Sequence, residues 1–215
     1  MQALPILYSF RRCPYAIRAR MALAYSGINV ELREIVFRDK PQAMLEASSK
    51  GTVPTLILTS GEVIDESSDV MYWALSKNDP NQWLPTEYIK PIETLIKDND
   101  NQFKYYLDRY KYFERYPEQP QAAYRQQAEV FLRNYEDRLT QHSFLLGQVI
   151  SLADIAIFPF IRQFAFVNKS WFEQAPYPKL NQWLESFLSH SLFLSVMHKY
   201  PVWQSGDQPA TFPVL

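Results

Sequence analysis

A change of pattern near residue 78 limits what this chain can fold into. Before it, short apolar runs alternate with helical periodicity. After it, no convincing alternating strand occurs. Leu4–Tyr8 is short, apolar and bounded by turn residues, so it reads as a buried strand, with Pro5 at its start. From Pro14 to Ser26 the period becomes helical. Ile17, Met21, Ala24 and Tyr25 fall on one face, and Gly27 is a natural residue to end the helix. Val30–Arg33 alternates as a half-buried strand and continues into Ile35-Val36. Strand, helix, strand favours a parallel pair with a right-handed crossover. Pro41–Ala47 reads as a short helix and Ser48–Thr52 as a loop. Val53–Leu58 and Glu62–Ile64, parted by Thr59-Ser60-Gly61, read as an antiparallel hairpin. Asp65–Asp69 carries helix-start chemistry, and Asn78-Asp79-Pro80-Asn81 stops that helix. The predicted order is β-α-β-α-β-β-α.

Residues 78–90, with Pro80 and Pro85, read as a linker. Helical segments follow at roughly 91–116, 121–142, 152–167 and 177–198. The expected organisation is an α/β domain over 1–77, a linker over 78–90 and an all-helical domain over 91–215. Ser151-Leu152-Ala153-Asp154 is a capping-box variant, with Ile150 and Ile155 at the positions of a hydrophobic staple. Asp154 is therefore read as a cap and not as a catalytic acid.

Composition removes several function classes. The net charge of −1 gives no global electrostatic case for nucleic acid or a membrane surface. One cysteine excludes an intramolecular disulfide framework and a Cys-rich zinc site, and it favours a reducing compartment. The three histidines have no metal-ligand partners in sequence, so no metal is expected. No signal-peptide pattern opens the chain, and no window approaches the ~20 apolar residues of a membrane span. The expected location is cytoplasmic.

The one cysteine is Cys13, in Cys13-Pro14-Tyr15-Ala16. Pro14 suits the first helical position, which puts Cys13 at or just before a helix N-terminus. There the unpaired N–H groups and the macrodipole stabilise a thiolate, and Arg11, Arg12 and Arg18 are near in sequence. Alone, the stretch fits a reactive thiol or a buried structural cysteine equally well. Context tips the balance. A thiol opens the first helix, Val53-Pro54 opens the third strand, and Glu66-Ser67 opens the third helix.

In that order these motifs resemble the glutathione S-transferase superfamily. The first 77 residues are similar to its thioredoxin-fold domain, and the remainder to its helical second domain. Cys13-Pro14-Tyr15-Ala16 is similar to the motif of the omega class, and to that of glutaredoxins with the second cysteine missing. The resemblance implies glutathione as co-substrate and a cis Pro54 that turns the Val53 backbone toward it. Val53 would pair with the cysteinyl backbone like an added strand. Glu66 would meet the γ-glutamyl ammonium, Ser67 and the helix N–H groups would hold the γ-glutamyl carboxylate, and Lys50 the glycyl carboxylate.

The resemblance also implies a substrate pocket between the domains. Tyr106, Tyr110 and Phe113 share a face by i, i+4, i+7 spacing and are candidates to line it, with Trp171. The implied activity is that of an omega-like thiol transferase, forming a Cys13–glutathione mixed disulfide with a small hydrophobic or disulfide substrate. Ala16 stands where a dithiol enzyme holds its second cysteine, so a second glutathione must regenerate Cys13. Two other readings use the same fold: a non-catalytic partner-binding protein, and conventional conjugation of glutathione to electrophiles. A homodimer is the assembly that the resemblance allows.

Overall fold

The structure, a computed structural model, describes residues 3–213. The chain divides into two compact units. One runs to Asn81 and takes up the chain again from His190; the other is Gln82–Ser189.

In the first unit the predicted element order holds: β1 (Ile6–Ser9), α1 (Pro14–Tyr25), β2 (Val30–Glu34), α2 (Gln42–Ala47), β3 (Thr55–Ile57), β4 (Val63–Ile64) and α3 (Ser67–Lys77). β1 and β2 pair in parallel, with Leu7 opposite Leu32. β3 runs antiparallel to β1, and the β3–β4 hairpin sets Leu56 opposite Ile64. Pro14 is the first residue of α1, and Gly27 follows its cap at φ 67°, a conformation that favours glycine. The single apolar face read for α1 is too narrow. α3 and α10 (Ser191–Val196) both pack on it. Every residue from Ala16 to Leu23 is buried as a result, Arg18 and Arg20 included.

The end of the chain departs from the all-helical expectation for 91–215. Ala210–Phe212 forms β5, antiparallel to β2, which completes a sheet of order β4-β3-β1-β2-β5. The cause is the outer edge of β2, whose unpaired backbone groups need a partner. A backbone bond and several side chains fix the return. Trp203 N–H donates to the Glu34 carbonyl at 2.8 Å. The Glu34 carboxylate accepts from Arg11 N–H at 2.6 Å and faces Arg20 Nη1 at 3.4 Å. The Arg20 guanidinium lies 5.0 Å from the Phe212 ring centroid and 5.7 Å from that of Tyr200. Burial pushes the Glu34 carboxyl up and the Arg20 guanidinium down.

The second unit is helical: α4 (Ile89–Asp98), α5 (Lys104–Lys111), α6 (Gln121–Gln141), α7 (Leu152–Ala165), α8 (Lys169–Gln174) and α9 (Pro178–Leu188). A π-helical stretch, Asn99–Phe103, joins α4 to α5. The stretch expected to be a linker is built in. Trp83 is buried, its carbonyl accepts from Leu152 N–H at 2.7 Å, and α4 starts at Ile89. The capping box forms as read. Asp154 Oδ2 accepts from Ser151 N–H at 3.0 Å and from Ser151 Oγ at 2.8 Å. Its Oδ1 accepts from Leu145 N–H at 2.9 Å and from Trp183 Nε1 at 3.0 Å. Asp154 is thus a fully buried structural hub.

Candidate active site

Cys13 caps α1 and is half-buried. Its N–H bonds the Phe10 carbonyl at 2.9 Å, closing the turn out of β1, and its carbonyl accepts from Ile17 N–H at 2.9 Å. These bonds hold the thiol at the positive end of a 12-residue helix. The Sγ faces the Val53 carbonyl oxygen at 3.9 Å and packs beside Tyr8, Ala16, Ile35, Met44 and Val53. The Val53–Pro54 bond is cis, as the motif implied. Val53 lies two residues before β3, outside the ladder whose pairing on that strand begins at Thr55 opposite Tyr8.

The loop before Val53 is tied to the start of α3. Gly51 turns at φ 57°, a conformation that favours glycine, and a Cβ there would press on the tip of the exposed Leu45 side chain, Cδ2 at 3.0 Å. Lys50 Nζ lies 2.9 Å from Asp65 Oδ1 and 2.6 Å from Glu66 Oε1. The two carboxylates raise the Lys50 ammonium, Glu66 more than Asp65. Ser48 Oγ donates to Asp65 Oδ2 at 2.6 Å, and together with Lys50 it lowers the Asp65 carboxyl. Lys50 and Glu66 stay well exposed, with side-chain accessibilities of 47% and 58%. Both can exchange partners at low cost. Ser67 is the first residue of α3, follows its cap Glu66, and is 3% exposed. Its Oγ accepts from Arg18 Nε at 3.0 Å and Nη2 at 2.8 Å. These two bonds join the start of α3 to the second turn of α1.

Cys13 is therefore gathered with Val53-Pro54, and Lys50 with Glu66 beside Ser67, in one unit of the chain. The site offers a thiol, a segment of backbone outside the sheet ladder, a cation, an anion and a helix N-terminus. Sequence reasoning gave Arg18 only a general positive potential. Its buried position on an apolar helix was the signal that it has a dedicated partner.

Ser9, the other hydroxyl near Cys13 in sequence, has a buried Oγ with no hydrogen bond among the described residues. Tyr8 is committed to the fold: its hydroxyl accepts from Arg33 Nη1 at 2.7 Å, and Trp203 stands edge-on at 6.1 Å. Among the described residues no three His, Cys, Asp or Glu side chains gather as metal ligands.

The aromatic candidates of the helical unit separate. Tyr110 is buried in the core, its ring 4.9 Å from that of Phe164. Trp171 is half-buried against the same Phe164, at 6.1 Å, and under the Arg125 guanidinium at 4.2 Å. Tyr106 is half-buried beside Tyr105 and Phe131. Phe113 does not share their helical face. α5 ends at Lys111, Tyr112 leaves helical geometry, and Phe113 sits 40% exposed in a separate 3-10 turn.

Residues 7–82 match the family model described as the glutathione S-transferase N-terminal domain, and residues 118–186 that of the C-terminal domain. Glutathione S-transferase omega-1 of Sus scrofa is 23% identical over 198 residues, spanning 91% of this chain and 77% of that protein. Glutathione transferase Omega 3C from Trametes versicolor superposes with a TM-score of 0.77 at 20% identity, over 94% of this chain and 91% of that one. A glutathione transferase family member from Pseudomonas fluorescens, solved with two glutathione bound, gives 0.78 at 16% identity, over 90% and 92%.

Proposed function

The chain belongs to the glutathione S-transferase family, and from that premise we propose that it is a glutathione-dependent thiol transferase of omega-like kind. The observation that carries this reading is the placement of Cys13. A cysteine caps α1 with its Sγ 3.9 Å from the Val53 carbonyl, at the backbone where a peptide ligand would lie.

In this reading glutathione enters extended along Val53 and adds to it as a strand would. Its γ-glutamyl carboxylate meets Ser67 and the N–H groups of α3, its ammonium meets Glu66, and its glycyl carboxylate meets Lys50. Lys50 and Glu66 are paired with each other. Glutathione, which carries both charges, replaces that pair with two new ones.

The chemistry is two exchanges at sulfur. The Cys13 thiolate attacks the glutathionyl sulfur of a mixed disulfide. The Cys13–glutathione disulfide forms, the substrate sulfur leaves with the electron pair, and it takes a proton from water. The thiolate of a second glutathione then attacks the glutathionyl sulfur. Oxidised glutathione forms and the Cys13 thiolate is released. With one cysteine in the chain, no internal thiol can take that second step. We assign the reaction to the cytoplasm, where reduced glutathione supplies the second thiol, with a small hydrophobic or disulfide compound as substrate and a second copy of the chain as partner in a homodimer.

Isothermal titration with reduced glutathione tests the site. Saturable binding at up to millimolar ligand is expected. No binding over that range would remove the glutathione reading and favour a partner-binding role.

A further inference from the structure

We infer that Arg18 is a positioning residue for the γ-glutamyl carboxylate and acts through the Ser67 hydroxyl; this rests on the glutathione reading above. Ser67 Oγ receives two hydrogen bonds from one guanidinium, at 3.0 Å from Nε and 2.8 Å from Nη2. A guanidinium has only donors to offer, and a hydroxyl has two acceptor lone pairs and one proton. Both lone pairs of Ser67 are therefore filled by Arg18. The remaining capacity of the hydroxyl is to donate, and an acceptor-only carboxylate at the start of α3 is the matching ligand. Without Arg18, a serine at this position can turn and bond neighbouring backbone instead.

Electrostatics argues for the same role. The N-terminus of α3 is crowded with carboxylates, since Asp65, Glu66 and Asp69 all lie there. An incoming anion is repelled by them. Lys50 is drawn off by Asp65 and Glu66. The Arg18 charge sits directly behind Ser67, is 1% exposed and is little screened by solvent. Its guanidinium is also held over the Tyr15 ring at 5.0 Å, which helps to fix the plane of its donors.

The test compares two tripeptides by isothermal titration: glutathione, and γ-aminobutyryl-cysteinyl-glycine, which lacks only the α-carboxylate. Wild-type protein is expected to prefer glutathione by about tenfold or more. Arg18→Met should lose that preference: glutathione weakens about tenfold, while the analogue stays within about twofold. Ser67→Ala, which leaves the guanidinium in place, should lose the same preference, and the double variant should bind glutathione no more weakly than Arg18→Met alone. Should Arg18→Met fail to fold, as judged by circular dichroism, Arg18→Lys and Ser67→Ala carry the test. The lysine, with its charge but no forked pair of donors, should show an intermediate preference.

Equal weakening of both tripeptides by Arg18→Met would reduce Arg18 to a packing residue and overturn the inference. So would an undiminished preference in the variants, or a wild-type protein that binds glutathione without discriminating, although the glutathione reading would survive both. No glutathione binding by wild-type protein would remove both.

Discussion

The Sγ of Cys13 lies 3.9 Å from the carbonyl oxygen of Val53, forty residues further along the chain. The cap of α1 and the approach to β3 are thereby joined at one point. In the proposed function, a thiol held there would meet a peptide backbone lying along Val53.

On the proposed glutathione reading, Lys50→Ala should raise the half-saturating glutathione concentration about tenfold and leave the rate at saturation unchanged, because it would remove binding common to ground state and transition state. Steady-state kinetics at two ionic strengths checks this. The wild-type half-saturation value should rise with salt, since Lys50 is exposed, and that of the variant should rise less. A loss confined to the rate at saturation would place Lys50 elsewhere in the mechanism.

Asp154→Asn should destabilise the protein nearly as much as Asp154→Ala, by about 3–5 kcal/mol. The two carboxylate oxygens take four donors, from Leu145, Ser151 twice, and Trp183. An amide can accept at only one of those atoms and brings N–H groups against donors at the other. Urea denaturation of both variants measures the difference. A nearly neutral Asp154→Asn would contradict the hub role.

Tyr177 provides a pH test of the helical unit. Its hydroxyl donates to Glu129 Oε2 at 2.8 Å. Burial and that carboxylate push the phenol up to about 12, against 10.0 when unperturbed. The folded protein therefore holds this proton more tightly than the unfolded chain. The resulting stability is complete below the unfolded value and is lost as pH rises through the folded one. Tyr177→Phe should cost about 1.5 kcal/mol at neutral pH, and the gap to wild type should shrink between about pH 10 and about pH 12. Paired denaturation curves across that range decide it. A gap that stays constant would mean that the phenol is not the source.

Part of the candidate site's geometry was legible because its signals are local. Cys13 and Pro14 are adjacent, and the stereochemistry of proline at a helix start fixes the thiol at a cap. Ser151 and Asp154 meet within one turn, and their box formed as read. What was missed depends on distant partners or on broken periodicity. Ala210–Phe212 is too short to alternate, and becomes a strand only because the edge of β2 is open to it. Phe113 was placed on a face with Tyr106 and Tyr110 by a 3.6-residue count, but the helix stops at Lys111. Arg18 and Arg20 lie on an apolar helix as charges without visible partners. Ser67 and Glu34 become their partners only once α3 and β2 are in place.

The central claim is that Cys13 is the nucleophile, and one comparison tests it most directly. Wild type and Cys13→Ala would be assayed side by side with reduced glutathione, for reduction of a glutathione mixed disulfide and for conjugation to an aromatic electrophile. The variant should lose at least about 99% of the reductase rate, because no other thiol in the chain can form the mixed disulfide. Its conjugation rate should be no lower than that of wild type. Full reductase activity in Cys13→Ala would contradict the account.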